Sequence, residues 1–557
     1  MDDIAQSRSA QFAQCRYNCT SPSHRPRPQR YAVILASTAS LHPLDWTVLA
    51  TYMLLVIAMG VFLGRKHRGA DEFFLAGRSM PMWAVAISVL ATSQSAATFV
   101  GGPQQAFDGN LTYFSANLGA LLAVVLVAIF FIPAYYRQNV TSVYELIGHH
   151  YGATSQRLAS GMFIVGRIFA SGARLFIVAI PFALIAFGDI STRSMIGAIV
   201  IIAAAAAAYT LAGGIRAVIW TDVVQAIVYI ACIVFALALV WQKIPLSFSE
   251  IIDTLRQAAD GDKLTIVDFD LSSTKDLAKP YGFWAVIIGL TLFNLAAFGT
   301  DQDLTQRMLT CRSARHGSWS VIIANLIAWP VVFLFLCMGL LLYVYYQQPD
   351  VMGAAAVKYQ IDDTRKVFLE FILHEMPLGL RGLMLAGLFA AAMSSTDSAL
   401  NAMASTTVAD FYRPLAQNRS GDPAAELKVA RLAVLFWALV LGAFACFCVF
   451  WQKASGHTLI DFALNVMVFA YSGLLAVFCT ALFTRRGNAV SVAAALATGF
   501  LCVLLLQDFA WKHWAPWFNI DFTLAFPWKM LLATLLSFVV CCLGKRTTQP
   551  ATVDSPS

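Results

Sequence analysis

Apolar residues run along this chain in long blocks, each about one bilayer deep, separated by short polar loops. Thirteen blocks read as membrane-spanning helices: 44–64, 81–107, 113–136, 157–187, 195–214, 217–243, 282–302, 317–346, 382–408, 427–451, 457–484, 489–506 and 526–544. A span needs about 20 predominantly apolar residues. The pattern predicts an all-α membrane protein of about 13 transmembrane helices over residues 44–544. A disordered tail is expected at 1–43 and a short one at 545–557.

Block 382–408 breaks the apolar rule at its centre. Ser394, Asp397, Ser398, Asn401 and Ser405 fall at i, i+3, i+4, i+7 and i+11 and so share one helical face. A charge at the depth of Asp397 costs about 2.5–3.5 kcal/mol even on the lenient insertion scale, so it needs a partner, a proton or a water-filled cavity. Two readings stand: a helix lining a cation path, or a helix–helix seam joined by small and polar residues.

Other blocks add to this. In 81–107, Ser88, Thr92, Ser95 and Thr98 make a second polar stripe beside Ser93 and Gln94, and Gly101-Gly102-Pro103 is expected to break the helix. A broken helix bares carbonyls that can ligate a cation. Block 282–302 is interrupted at Asn294 and at Gly299-Thr-Asp301-Gln-Asp303. These two blocks open successive five-helix sets, 81–243 and 282–451, the placing expected of an inverted repeat. Asp222 stands in 217–243 as either a functional carboxylate or a helix cap. Arg167 and Arg174 lie in 157–187, where an arginine fork suits a carboxylate: an anionic solute, or an internal pair with Asp397, the favoured reading from the residues alone.

Composition and charge complete the class. Apolar residues are 59% and charged residues 12% of the chain, against roughly 45–50% and 25% in soluble domains. Basic residues gather in alternate loops: Arg65, Lys66, Arg68 and Arg78; Arg137 and Arg157; Arg307, Arg312 and Arg315; Arg413, Arg419 and Lys428; Arg485 and Arg486; Lys545 and Arg546. The opposite short loops offer Arg193, Lys453 and Lys512. The positive-inside rule then puts the N-terminus outside and the C-terminus in the cytoplasm, although Arg8, Arg16, Arg25, Arg27 and Arg30 of the tail oppose it. The net charge of +7 reflects these loops and no nucleic-acid surface. The eleven cysteines show no CxxC or Cys/His metal spacing. The nine histidines form no HExxH, and GxSxG is absent, which argues against an enzyme. A solute sensor would need a signalling domain after 526–544, and none is legible.

Together these residues resemble the sodium:solute symporter family. The matching segments are Asp71-Glu-Phe-Phe-Leu-Ala-Gly-Arg-Ser79 with Trp83, Gly213-Gly214 with Trp220-Thr-Asp222-Val-Val-Gln225, Thr300-Asp-Gln302 with Gln306-Arg307, and Ala390 to Asn401, in family order across about 44–545. The resemblance implies a leucine-transporter-type ten-helix inverted-repeat core and a sodium-coupled importer of a small organic solute in the plasma membrane, taken as a bacterial inner membrane. Sodium is the co-transported ligand, with no cofactor, no obligate protein partner, and the lipid bilayer as surroundings. The family's main sodium site carries over to the carbonyls of Ala91, Gln94 and Ala391 and the hydroxyls of Ser394 and Ser395. A second cation site or release path carries over to Asp222, Asp397 and Ser398. Family members often have Ser or Thr where this chain has Asp397, so Asp397 has three roles open: a second cation, a proton, or Arg174. Of the family's sugar-binding set, matched by Thr98, Asn117, Asn294 and Ala297, only Asn294 keeps its type. Ser95, Thr98, Asn117 and Arg174 match contacts to the acid sugar in sialic acid symporters. The expected solute is therefore an organic anion such as a sialic acid, with a neutral sugar or an amino acid as the alternative.

Overall fold

The computed structural model describes residues 41–64, 70–211, 214–353, 361, 363–415, 423–455, 458–518 and 522–545. Most of the tail expected at 1–43 lies outside them, as do Arg65, Lys66, Arg68, Gly213, Arg419 and residues 546–557.

The described chain is helical. Its long helices are α1 (Pro43–Gly64), α2 (Met82–Ser93), α3 (Ala96–Asp108), α4 (Leu111–Arg137), α5 (Ala153–Phe187), α6 (Thr192–Thr210), α7 (Ile215–Lys243) and α8 (Ala285–Gly299). They continue as α9 (Gln302–Leu309), α10 (Ala314–Gln347), α11 (Leu380–Leu415), α12 (Pro423–Ser455), α13 (Leu459–Phe483), α14 (Ala489–Leu505), α15 (Asp508–Trp514) and α16 (Phe526–Cys542). Eight helices have the length and apolarity to cross a bilayer, three bent pairs do so when each is taken as one span, and α6 and α16 are apolar but shorter.

Two of the bent pairs stand where the repeat was expected. The α2–α3 pair bends by 58° and the α8–α9 pair by 56°. The first break is not at Gly101-Gly102-Pro103, which lies inside α3. It falls at Gln94-Ser95, where both residues are extended and the Ser95 hydroxyl accepts from the Ala97 amide at 3.2 Å, restarting the helix as an N-cap. The glycines serve packing: a Cβ on Gly101 would stand 2.8 Å from Ile460 Cγ1, and one on Gly102 3.2 Å from Phe335 Cβ. The second break falls at Thr300-Asp301, and Asn294 does not interrupt α8, its amide donating to the Leu290 carbonyl one turn back.

α3 and α10 meet backbone to backbone. A Cβ on Gly339 would lie 2.2 Å from the Pro103 carbonyl oxygen and 2.9 Å from Ala106 Cβ. Gly339→Ala is expected to lose about 1–3 kcal/mol of stability through overpacking, read as a lower thermal midpoint in detergent; an unchanged midpoint would show that the helices can part.

α1 precedes the first bent pair but holds α11. Asp45, fully buried, accepts from the amides of Gly379 and Gly382 at 2.7 and 3.1 Å, two donors at the start of α11 that have no partner within that helix.

Candidate functional site

A helix ending at Ser93 leaves the carbonyls of its last turn without intrahelical donors. Leu90 gives its oxygen to Gln94 N and Ser93 Oγ, which leaves Ala91 in that turn facing α7 and α11. A small cavity of about 10 Å³, room for about one water-sized particle, is bounded there by Ala91, Gln94, Gln225, Tyr229, Ala391 and Ser394 among others. Ala91, Gln94, Ala391 and Ser394, four of the five residues expected to ligate sodium, thus border one cavity, with none of their oxygens bared into it. Ser395 is not on that wall, but its hydroxyl donates to the Ala391 carbonyl at 3.2 Å. The side-chain oxygen of Gln94 is buried without a partner among the described residues.

Beside it lies a cavity of about 140 Å³. The break supplies Thr92, Ser93 and Gln94; α4 supplies Tyr113 and Asn117; α5 supplies Arg167 and Arg174; α8 and α9 supply Asn294, Ala297 and Asp303; α13 supplies Met467 and Tyr471. Asn117, Arg174 and Asn294, three of the residues expected at the solute site, therefore border the same cavity. Ser95 and Thr98 do not border it: Ser95 caps α3 and Thr98 is buried outside the cavity wall. Asp303, Asn325 and Tyr471 were not anticipated as lining residues.

The two arginines of α5 share a face, seven residues apart, and have different fates. Arg167 is held by two carboxylates: it binds Asp301, reaches Asp303 Oδ2 at 2.6 Å, and meets the Tyr471 hydroxyl at 3.1 Å. Arg174 has no carboxylate within ion-pair distance among the described residues, and the contact shown for it is Met467 Sδ at 3.9 Å. The internal pair of Arg174 with Asp397 is thus not formed. One guanidinium is left in the cavity without a counter-charge.

Asp222 is not a helix cap. It is fully buried, accepting from Ser394 at 2.7 Å through Oδ1 and from Ser88 at 2.5 Å and Arg307 at 3.3 Å through Oδ2, while Gly214 caps α7. Arg307, counted among loop charges, is 1% exposed. The chain turns back into the bundle at the second bend, and α9 carries Arg307 inside to bind Ser398, Asp222 and, at 3.1 Å, Asp303. Its guanidinium joins Asp222 and Ser398, two of the three residues expected at a second cation site or release path. Asp397 Oδ1 accepts from the Ser398 amide at 2.7 Å, and its buried Oδ2 has no partner among the described residues. The central section thus sets four aspartates, at 222, 301, 303 and 397, against three arginines, at 167, 174 and 307.

Known proteins show the same arrangement of segments. The model of the sodium:solute symporter family matches residues 73–499. The sodium/sialic acid symporter SiaT of Proteus mirabilis is 30% identical over 464 residues, covering 83% of this chain and 89% of that one. NanT, a sodium/sialic acid symporter of Aliivibrio fischeri, is 27% identical over 474 residues, covering 84% and 88%. The human sodium/iodide cotransporter is 25% identical over 516 residues, covering 92% and 75%. A solved structure of a sodium-coupled sialic acid symporter, substrate-bound and outward-open, superposes with a TM-score of 0.73 at 26% identity, covering 90% of this chain and 99% of that one.

Proposed function

Because this chain belongs to the sodium:solute symporter family, we propose that it imports a small organic anion, a sialic acid, together with sodium. The protein is a multi-pass membrane transporter and not an enzyme. The observation that carries the anion is Arg174, a guanidinium on the cavity wall with no carboxylate against it among the described residues. Its fork suits a carboxylate bidentately, and Asn117 and Asn294 stand on the same wall for hydroxyl or amide groups. The relatives named as sialic acid symporters support that choice of solute.

Sodium is assigned to Ala91, Gln94, Ala391, Ser394 and Ser395, an all-oxygen set suited to a hard cation. The core repeats are assigned to about 81–243 and 282–451, the N-terminus to the outside and the C-terminus to the cytoplasm of a bacterial inner membrane, on the loop charges. One sodium entering down about 100 mV releases about 2.3 kcal/mol, and a tenfold gradient adds about 1.4 kcal/mol. A monoanion moving with one sodium loses the electrical part, so useful accumulation needs two. Asp397 is assigned to the second cation. Sodium favours the outward-facing state, solute completes it, and rocking of one helix set against the other opens the inner side.

The test is uptake of labelled N-acetylneuraminate into proteoliposomes with and without an inward sodium gradient. Sodium-driven accumulation is expected, and Ser395→Ala is expected to raise the half-saturating sodium concentration about tenfold or more, removal of one direct ligand being worth at least about 1.4 kcal/mol. Protein that binds sodium yet accumulates no N-acetylneuraminate would remove the sialic acid and direct the search to neutral sugars and amino acids.

A further inference from the structure

The sodium-site helix and the solute cavity are joined by an unbroken run of polar contacts. Ser394, assigned to sodium, donates to Asp222 Oδ1 at 2.7 Å. The other oxygen of Asp222 takes Arg307 at 3.3 Å, and Arg307 reaches Asp303 Oδ1 at 3.1 Å. Asp303 Oδ2 takes Arg167 at 2.6 Å, and both Asp303 and Arg167 line the cavity. The run crosses α11, α7, α9 and α5, and every member is at most 2% exposed. In so little water each charge feels its neighbours strongly.

Asp303 is the member with a divided task. It gives one carboxylate oxygen to each arginine, whereas Arg167 keeps Asp301 as a second counter-charge and Arg307 keeps Asp222. Neither arginine is orphaned without Asp303; what is lost is the link between them. A hydroxyl that coordinates sodium through its lone pair has its O–H polarised and donates more strongly. Asp222 is then drawn towards Ser394, Arg307 leans further on Asp303, and Arg167 is held less tightly at the cavity wall.

We propose that Asp303 is a positioning residue that transmits sodium binding on α11 to the solute cavity through Arg307 and Arg167. This rests on the assignment of Ser394 to sodium. Adjacency does not by itself establish transmission, so the test reads the sodium response of the cavity directly, without needing the solute. A cysteine at Ala297, on the cavity wall, is labelled with a maleimide in the full-length protein, its rate followed by mass spectrometry of that peptide with and without sodium. Sodium binding is followed separately by the shift in thermal midpoint.

With Asp303 present, sodium is expected to change the labelling rate by at least about fivefold, the lower edge of ordinary site-to-site coupling. With Asp303→Asn, an isosteric change, the midpoint shift should persist while the labelling response falls below about twofold. Asp303→Glu, which restores the carboxylate, should recover part of it. An undiminished labelling response in Asp303→Asn overturns the proposal. So does loss of the midpoint shift, which would place Asp303 in the sodium site itself. If Asp303→Asn does not fold, Arg307→Lys takes its place: a lysine keeps the charge but has no fork to hold Asp222 and Asp303 together, and the same outcomes apply. Absence of any sodium effect on the protein with Asp303 intact would sink the symporter reading, and this proposal with it.

Discussion

Arg174→Ala is expected to cut sodium-driven N-acetylneuraminate uptake by about a hundredfold or more while leaving sodium binding unchanged. The two effects separate because Arg174 holds no carboxylate among the described residues and touches Met467 only through a weak sulfur contact. Removing it strands no internal counter-charge. What disappears is a charge-assisted fork for the solute carboxylate inside a largely desolvated cavity, worth about 2–5 kcal/mol, and about 2.7 kcal/mol is already a hundredfold. Arg174→Lys should recover little, because an ammonium keeps the charge without the planar pair of donors. Initial uptake rates in proteoliposomes, beside the sodium-induced rise in thermal midpoint, check both halves. Uptake within a fewfold of the native rate would mean that the anion is held elsewhere and that Arg174 is a bystander.

Asp222→Asn carries the second large effect, on stability. The carboxylate accepts from Ser88, Ser394 and Arg307 with no exposure to water. Breaking a buried pair by removing one partner costs about 3–5 kcal/mol, because the other charge stays behind. An asparagine fits the space but can turn its amide towards Arg307, donor facing donor. Arg307 would retain Asp303, which should hold the loss to that range. A drop in detergent thermal midpoint is expected, and pairing the change with Arg307→Gln should return part of it, the non-additivity that marks two residues in contact. Equal and additive losses would show that the pair contributes no coupling.

The class, the apolar helical character of the blocks and the existence of two broken helices were legible because hydropathy and helical period are local properties of a sequence. The face shared by Ser394, Asp397, Ser398 and Asn401 was legible for the same reason, and the helix that carries it is buried there on all sides. The position of the first break was not. Gly and Pro are the usual punctuation, yet membrane helices tolerate them, and at Gly101 and Gly102 they buy close packing while a serine cap at position 95 does the breaking. Partners were the least legible. Periodicity shows which residues share a side of one helix and says nothing of what the next helix brings to it. Arg307 follows a predicted span and sits near Arg312 and Arg315, so it counted as a loop charge until the bend at Thr300-Asp301 was seen to fold α9 inward. The only hint was its place in the Gln306-Arg307 segment of the family resemblance. Arg167 and Arg174 could not be told apart without knowing that Asp301 and Asp303 face the first of them.

The hold of Asp45 on α11 bears on how much of the chain a working protein requires. A version shortened at its front beyond this residue would keep every side chain assigned to sodium and solute. It would still leave two amides at the head of α11 without the acceptor that Asp45 gives them, that of Gly382 buried and that of Gly379 half-buried. Such a protein would keep the residues of both cavities and lose the tie that holds the start of α11, so α1 belongs to the folded unit although it precedes the first bent pair.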